Sequence, residues 1–566
     1  MKKIVLWIVA AVLILGAAVT AFMIASVDKE EAVVLEPIND PVFVYVNLEQ
    51  IGAKGAFEKF ITPENRALIA TALSSQVEGA EKVEHIKSIA MNLESLGIDI
   101  HTPIYGYLTE DLTNGVVVAN VSDVTLLDRS VALLSYLVEQ SGGKLEVVNE
   151  GDIRMFECEE FYVAYNTSTF AVALGDDAED MTSVRDALNR PQMDMSIFGA
   201  SDLAVLVNTG KCMELASAKV SEAMAELNDM YGTGEVDAEE FAMQSEALAA
   251  SEEMILGYSS YFEPNSNIVL SATFDLGRMS LAYNSNGVNF GEYAAICKKV
   301  NMTHLNNLGK DSYAVMSMGV DGTVLAQLVR TLLNGEMLQS VGITPTNEVN
   351  MFVSIACDAL STINGGVTLA LEELDGEIKQ RYNYYWDEYS VEPSIKSVKA
   401  MLMADVADTY IISNVAQFAG GFLKRVDATH YTLRLMNYNF SMSQDDSLFH
   451  IGVNMSPGVQ TPSAVEAEWA KDIEGAVSYV VVNVDTLMSG RFMQSANKYI
   501  SSQLPAEYRD VYSDAAEAVS YVYLKANSLE SAEVVVVFDD KSVNALEQIN
   551  GLVLPLLTRE CVKSLF

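Results

Sequence analysis

Four times along the chain, a short apolar stretch of strand length ends at a small or polar residue and passes directly into a helical pattern. The four end residues are Asn47, Asn208, Gly319 and Asn483. β-Branched and aromatic runs of this length are typical of strands, and apolar residues spaced by three or four are typical of helices. Such units predict an α+β fold of mainly antiparallel sheets with helices packed on them.

The spacing of these strand ends indicates an internal duplication. Asn47 and Gly319 are 272 positions apart, and Asn208 and Asn483 are 275 positions apart. A nearly constant offset is the signature of a repeated block. We therefore predict two copies of a block, each made of two modules. The alternative is that α+β segments rich in Val and Ala resemble one another by chance.

The length of 566 residues also calls for several domains. The offset between the copies grows from 250 at Asn114 and Asn364 to 278 at the glycine pairs that begin at Gly142 and Gly420, which indicates an insertion. The predicted divisions are a membrane segment at 1–27, an acidic tether at 28–39, module 1a at 40–195, module 1b at 196–306, module 2a at 307–465 as a repeat of 1a with an aromatic insertion at about 371–398, and module 2b at 466–566 as a repeat of 1b.

The N-terminal segment predicts a membrane anchor. Residues 4–27 follow Lys2 and Lys3 and contain no charge. A helix of that length can cross a hydrocarbon core of about 30 Å. The two lysines place the N-terminus in the cytoplasm and the bulk of the chain in the periplasm or outside the cell. A cleaved signal peptide, with a small-residue site at Val19–Ala21, is the alternative.

The charge balance restricts the partners of the chain. There are 77 acidic and 35 basic side chains, which give a net charge of −42. Binding to nucleic acid needs Lys and Arg to replace the counterions of the phosphates, so nucleic acid is excluded as a partner. The same charge disfavours docking of the folded part on anionic lipid. We expect contact with the membrane through residues 4–27 alone, and an envelope protein or a glycan as the partner.

Motifs of known enzyme classes are absent from the sequence. There is no Gly-x-Ser-x-Gly elbow, Walker loop, Gly-x-Gly-x-x-Gly turn, His-Glu-x-x-His helix or Cys-x-x-Cys pair. Histidines and cysteines are too dispersed along the chain to form a metal site of ordinary spacing. We predict no catalytic residue and no cofactor. The five histidines are His85, His101, His304, His430 and His450.

One stretch partly matches a calcium-binding loop. Asp229, Asp237 and Glu240 occupy the first, ninth and twelfth positions of an EF-hand pattern between two helical stretches. Oxygen ligands are also needed at the third and fifth positions, where this chain has Tyr231 and Thr233. The three acids are therefore a weak metal candidate. The alternative is a helix-to-helix loop with a solvated acidic face.

The predicted insertion contains a cluster of aromatic residues beside acidic ones. Aromatic rings next to carboxylates can stack on sugars or anchor a protein interface. An ordinary hairpin that packs its rings on its own sheet is the alternative. The candidate contact residues for a partner or a glycan are Tyr382, Tyr384, Tyr385, Trp386 and Tyr389.

The segment that follows the N-terminal apolar run reads EPINDPVFVYVNLEQIGAKGAF, with a proline-marked lead, an apolar strand that ends in Asn, and a helix that contains Lys. This opening resembles uncharacterised exported bacterial envelope proteins that are grouped as domains of unknown function. Members of those families look like lipoproteins, with a Cys soon after the signal. The first Cys of this chain is Cys158, which departs from that pattern and favours a peptide anchor in place of a lipid.

Together these features predict a membrane-anchored, extracytoplasmic binding or scaffolding protein of the bacterial envelope, and not an enzyme. Two alternatives stay open at this point. One is an envelope enzyme that acts on glycan or peptide through acidic residues. The other is an accessory subunit of a transport or secretion assembly.

Overall fold

A computed structural model of the chain divides into two compact units. Unit 1 comprises Met1–Asn289 and Lys541–Phe566, and unit 2 comprises Phe290–Asp540. The structure describes residues 37–554 except 75–76, 110–113, 141–144, 146, 159–160, 175–178, 334–345, 384–387, 409–410, 413–422, 436–437, 446 and 457.

Unit 1 is built on one antiparallel sheet. Its strand order is β4-β5-β6-β7-β3-β2-β1-β8-β9-β10. The strands are β1 (Val42–Val46), β2 (Ile104–Leu108), β3 (Gly115–Asn120), β4 (Val147–Glu150), β5 (Ile153–Cys158), β6 (Phe161–Tyr165), β7 (Thr169–Leu174), β8 (Leu203–Val207), β9 (Phe262–Asp275) and β10 (Arg278–Val288).

The helices of unit 1 lie between these strands in sequence, and a further helix covers residues 545–554. They are α1 (Leu48–Gly55), α2 (Phe57–Phe60), α3 (Pro63–Ser74), α4 (Ala80–Met91), α5 (Val124–Gln140), α6 (Glu179–Leu188), α7 (Thr209–Thr233) and α8 (Ala238–Ser259).

Unit 2 is also built on one antiparallel sheet. Its strand order is β15-β16-β17-β18-β14-β13-β12-β19-β20-β21, and β11 pairs with the end of β12. The strands are β11 (Cys297–Lys298), β12 (Ala314–Asp321), β13 (Ile363–Asn383), β14 (Glu388–Val406), β15 (Lys424–Arg425), β16 (His430–Leu435), β17 (Tyr438–Asp445), β18 (Leu448–Val453), β19 (Ser478–Asn483), β20 (Val519–Ala526) and β21 (Ser531–Phe538).

The helices of unit 2 include a 3-10 helix at Met302–Asn307 that carries buried side chains. The α-helices are α9 (Glu292–Ile296), α10 (Gly322–Leu332), α11 (Asn347–Ser361), α12 (Val484–Ser489), α13 (Arg491–Gln503) and α14 (Ala506–Glu517).

The two units share one order of strand pairing, in which each of β4 to β7, β3, β2, β1, β8, β9 and β10 has a counterpart in the unit 2 sheet. They differ in one hairpin. β2 and β3 have 5 and 6 residues, whereas their counterparts β13 and β14 have 21 and 19. The described residues at about 371–398, which exclude 384–387, belong to the distal parts of β13 and β14. The glycine pairs at 142–143 and 420–421 lie outside the described residues, and the repeat relation stays a prediction.

The predicted fold class is wrong in two respects. It assigns each block two modules with sheets of their own, but β1 pairs with β2 on one side and with β8 on the other. Strands on both sides of position 195 therefore belong to a single sheet, because the short β1 hydrogen-bonds along both of its edges. The separation into two modules was inferred from the spacing of the recurrent strand ends, which carries no information about pairing across more than a hundred residues.

The predicted membrane helix is the second correction. Residues 4–27 lie outside the described residues. Among the helices that the structure does describe, none combines the length and the apolar character that crossing a bilayer requires.

Local chemistry explains how the recurrent strands end. Asn47 accepts a hydrogen bond from the backbone N–H of Gln50 at 3.1 Å and so caps α1, and Asn483 caps α12 in the same way. Asn208 also occupies the N-cap of its helix. Gly319 instead lies inside β12, and Asp321 caps the helix there.

An ion pair between Lys54 and the buried Asp202 connects the first helix of unit 1 to its sheet. The Lys54 Nζ atom lies 2.7 and 2.8 Å from the two carboxylate oxygens of Asp202, whose side chain is fully buried. Asp202 also accepts the backbone N–H of Phe274 at 2.7 Å. The pair joins α1 to the strands β8 and β9, which are distant in sequence.

Unit 2 is held by a core of large apolar side chains at one face of its sheet. It buries methionines of β14 together with residues that precede β12 and β19. The largest contributors are Leu305, Leu308, Met401, Met403, Trp469, Ile473 and Tyr479.

One buried side chain of unit 2, that of His450, has a perturbed pKa. His450 on β18 is almost fully buried, and its Nε2 atom contacts the Ser443 hydroxyl. Removal from water disfavours the charged ring and lowers the pKa of His450 to about 4 from an ordinary 6.5. The unfolded chain therefore binds more protons between pH 6.5 and 4, so stability falls as the pH falls through that window.

We expect the free energy of unfolding of unit 2 to drop by about 2 kcal/mol between pH 7.5 and pH 5 on account of His450. Denaturant unfolding of wild type and H450Q at both pH values checks this, because H450Q should lose less stability on acidification. V459A, at an exposed apolar position of the same unit, is the control and should keep the wild-type pH dependence. Equal acid sensitivity of wild type and H450Q would contradict the assignment.

Candidate binding surface

Two of the aromatic candidates, Tyr382 and Tyr389, lie at the end of β13 and the start of β14. Tyr382 pairs with Tyr389 in the ladder, and the Tyr382 side chain is exposed. Tyr384, Tyr385 and Trp386 lie outside the described residues. Closer to the body of the unit, α13 packs on β13, and the Ile378 N–H donates to the Ser495 hydroxyl at 2.9 Å. Contact of the aromatic tip with a partner or a glycan stays a prediction.

The calcium candidates lie on a helical hairpin. Asp229 is in the last turns of α7, and Gly234 ends that helix in a left-handed conformation. Asp237 caps α8 by accepting the N–H groups of Glu239 and Glu240 at 2.9 and 3.0 Å. The Glu240 carboxylate accepts from Gln244 at 3.0 Å. Within the described residues no three acids, histidines or cysteines are grouped as a metal site, and the calcium hypothesis stays a prediction.

Unit 2 contains a buried array that the sequence did not reveal. His304, on the 3-10 helix, donates from Nε2 to the Asp405 carboxylate at 3.1 Å, and its Nδ1 lies 2.8 Å from the Thr368 hydroxyl. The Ser317 hydroxyl lies 2.8 Å from that of Thr368. Asp405 also accepts from the Asn301 amide at 2.9 and 3.1 Å. A hydroxyl, an imidazole and a carboxylate are thus aligned, as in a nucleophilic triad.

Burial decides what this array can do. His304, Thr368 and Ser317 are each at most 1% exposed. A nucleophile needs contact with its substrate, and the Thr368 oxygen has none with solvent. Burial raises the pKa of Asp405, but the hydrogen bonds from His304 and Asn301 outweigh that effect and leave the pKa below its usual value. The array therefore stabilises the fold by tying the 3-10 helix to β12, β13 and β14.

A cleft of about 430 Å³ lies in unit 1 between α4, α5 and the strands β4 to β6. Asp128 lies at its floor, 2.9 Å from the Arg154 Nε atom and 2.9 Å from the Tyr165 hydroxyl. The Lys82 ammonium lies 3.5 Å from the centre of the Tyr136 ring. The cleft is lined by both acidic and basic side chains. Arg154 and Asp128 form an ion pair with each other.

Several large apolar side chains are exposed on the helical hairpin of α7 and α8 in unit 1. The turn is fixed by Val236, which is buried, and by stacking of Tyr231 on Phe241 with ring centres 4.5 Å apart. At the base, the hydroxyls of Thr209 and Ser266 lie 2.7 Å apart and join α7 to β9. The helix α8 packs mainly on α7, and none of its 22 residues is buried.

The outer face of α8 is apolar. Five residues form this face: Met243, Ala247, Ala250, Met254 and Tyr258. They are spaced by four, three, four and four positions, so at 100° per residue they lie within about 80° of the helix circumference. Met243, Met254 and Tyr258 are 67, 61 and 55% exposed. We call these five residues the α8 stripe. Exposed apolar surface of this kind marks interaction sites on soluble proteins.

The α8 stripe has an acidic border. Glu239, Glu246 and Glu253 are exposed and repeat every seven residues along one edge of it. The helix contains five glutamates and no Lys or Arg. In the hairpin as a whole, residues 209–259, there are eleven acidic and two basic side chains. The surface thus combines an apolar centre with a strongly negative rim.

The sequence did not identify this surface because a Met and Ala stripe at helical spacing ordinarily predicts a face that packs on the core. One signal was present: α8 has glutamates on several sides and only weak segregation of apolar and polar residues. The face that α7 covers, and the face that stays open, follow from the tertiary structure.

Comparison with known proteins adds no family. No protein-family model matches the chain, and no curated protein matches it significantly. Solved structures that match include crystal form III of TP0453 at 12% identity, with a TM-score of 0.21 over 47% of this chain and 86% of that one. Crystal form I of TP0453 is similar at 13% identity, with a TM-score of 0.21 over 46% of this chain and 82% of that one. Because the TM-scores are this low, the likeness carries no argument about fold or function.

Proposed function

We propose that this chain is a non-enzymatic, extracytoplasmic binding or scaffolding protein of the bacterial envelope. The observation that carries the proposal is α8, a 22-residue helix without a buried residue whose outer face is apolar. An apolar face of that length lowers its free energy when it is covered, by roughly 25 cal/mol per Å² of buried apolar surface.

The location is supported by the N-terminal sequence, where an uncharged run after Lys2 and Lys3 is typical of exported chains. The non-enzymatic role in this proposal starts from the sequence, which contains none of the enzyme motifs named above. Methionine at two positions of the α8 stripe suits an adaptable contact, because its side chain is flexible and polarizable.

Site-directed photo-crosslinking in intact cells tests the proposal. We expect a benzoylphenylalanine at position 254 to capture one discrete neighbour from the cell envelope, because Met254 belongs to the stripe and is 61% exposed. The matched control is position 459 in unit 2, where Val459 is 76% exposed and belongs to no helix.

The same products from both positions, or no product from position 254, would contradict a binding role for α8. A discrete neighbour that is cytosolic would leave the binding role but contradict the extracytoplasmic location.

A further inference from the structure

The chemistry of the α8 stripe and its border identifies what kind of partner covers it. We infer that the α8 stripe docks a basic amphipathic helix of another protein, with large apolar residues on its seam and Lys or Arg at every seventh position beside that seam. This inference rests on the proposed function and adds the chemical class of the partner.

The shape of the stripe favours a helix. Positions 243, 247, 250 and 254 are spaced by four, three and four, which is the spacing at which one helix packs along another. Ala247 and Ala250 at its centre leave room, whereas Met243 and Met254 project at its two ends. Large side chains of a partner, such as leucine, fit over the alanines and between the methionines. Amphipathic helices that bind in this way use anchors spaced by three and four residues.

The charge of the border requires a basic partner. Glu239, Glu246 and Glu253 repeat every seven residues beside the seam, the position at which interhelical salt bridges select coiled-coil partners. Lysine or arginine in the matching positions pairs with all three glutamates. A partner with acidic flanks would place like charges opposite each other.

The same charges argue against two other occupants. A second copy of this chain would bring its own five α8 glutamates, with no Lys or Arg, against the first. A membrane surface rich in anionic lipid is repelled by the eleven acidic side chains of the hairpin, which has only two basic ones. Amphipathic helices that bind anionic membranes carry Lys and Arg on the polar face, which is the reverse of this arrangement.

Peptide binding to the full chain tests the inference. The probe is a fluorescent peptide of three heptads with leucine at the first and fourth positions and lysine beside them, measured by anisotropy. Two matched peptides have glutamate in place of the lysines, or the same composition in shuffled order. We expect the basic amphipathic peptide to bind at least about tenfold more tightly than either control.

Variants of the protein separate the stripe from general attraction to an acidic surface. M243S/M254S/Y258S keeps every charge and should weaken binding of the basic peptide by about tenfold or more. L256S alters an equally exposed residue on the far side of the same helix and should bind as wild type does. E246K/E253K should weaken binding of the basic peptide and strengthen binding of the acidic peptide. Circular dichroism of each variant checks that the helices are retained.

Each remaining outcome decides the matter. Equal binding of the basic peptide to wild type and to M243S/M254S/Y258S would overturn the inference, as would no binding of it at all. Binding of the acidic peptide through the stripe would overturn the basic partner and leave the proposed binding function standing. Sedimentation with phosphatidylglycerol vesicles, lost in M243S/M254S/Y258S, would assign the stripe to a lipid surface instead. A self-associating wild type that M243S/M254S/Y258S makes monomeric would assign it to a second copy.

Discussion

Replacing Asp405 by alanine is expected to destabilise unit 2 by about 4 kcal/mol. The Asp405 carboxylate is the acceptor for the His304 ring, the Asn301 amide and the backbone N–H of Gly366, which lies 2.7 Å away. Alanine leaves these donors without their acceptor in a buried site, and each unsatisfied donor costs about 1 to 3 kcal/mol. The loss exceeds that of an ordinary surface substitution several-fold.

Hydrogen exchange measured by mass spectrometry is the appropriate readout, because it reports on each unit separately. We expect D405A to lose protection in β12, β13 and β14, while peptides from β1 and β8 keep theirs. E474A removes an exposed carboxylate from the same unit and should leave protection unchanged. Protection in D405A equal to that in E474A would contradict the structural role of the array.

The contribution of Asp405 also has a defined pH dependence. Its pKa is lowered in the folded state, so its stabilising effect is present above the unfolded value near 3.8 and is lost as the pH falls through the folded value. The difference between wild type and D405A should therefore be complete at pH 7 and shrink only below about pH 4. His450 acts in the same direction but at higher pH, between 6.5 and 4, because its pKa is also lowered in the folded state.

In unit 1, the substitution of Lys54 by methionine is expected to cost about 3 kcal/mol. Lys54 is the cation that neutralises the fully buried carboxylate of Asp202. Its removal leaves a buried charge with the Phe274 N–H as its remaining hydrogen-bond donor among the described residues, and breaking one side of a buried pair costs about 3 to 5 kcal/mol. Since Lys54 is partly exposed, the lower end of that range applies.

A second substitution separates the loss of charge pairing from the loss of packing. K54M/D202N removes the buried charge while an amide oxygen can still accept the Phe274 N–H, so we expect it to recover part of the stability that K54M loses. K87M makes the same substitution at an exposed lysine of α4 and should match wild type in denaturant unfolding. A double variant less stable than K54M would show that the buried carboxylate is not the cause of the loss.

The contacts of Asp405 and Asp202 explain why the sequence predicts some features of the fold and not others. The caps of α1 and α12 were readable because Asn47 and Asn483 bond to N–H groups three residues away. The partners of Asp405 and Asp202 lie 101 and 148 positions away, and no local pattern signals them. The dispersed histidines were interpreted as unconnected, although His304 lies at the centre of a network.

Candidate binding residues are also difficult to identify from local sequence patterns. The sequence predicts candidate binding residues at the tyrosines and Trp386 of the proposed insertion and at the acids of the α7–α8 turn. The acids at 237 and 240 bond to their own helix, and Tyr384, Tyr385 and Trp386 lie outside the described residues. The α8 stripe was overlooked, since burial of a helix face depends on the neighbours that the fold supplies.

The amino-acid order alone established the acidic charge, the α+β composition and the strand ends at which helices begin, because these depend on residues a few positions apart. Folding in three dimensions settled the rest: ten strands of unit 1 join one sheet, a histidine meets an aspartate 101 positions away, and α8 is covered on one side only. These outcomes depend on pairing and burial between distant segments, and their free energies are absent from any short stretch of chain.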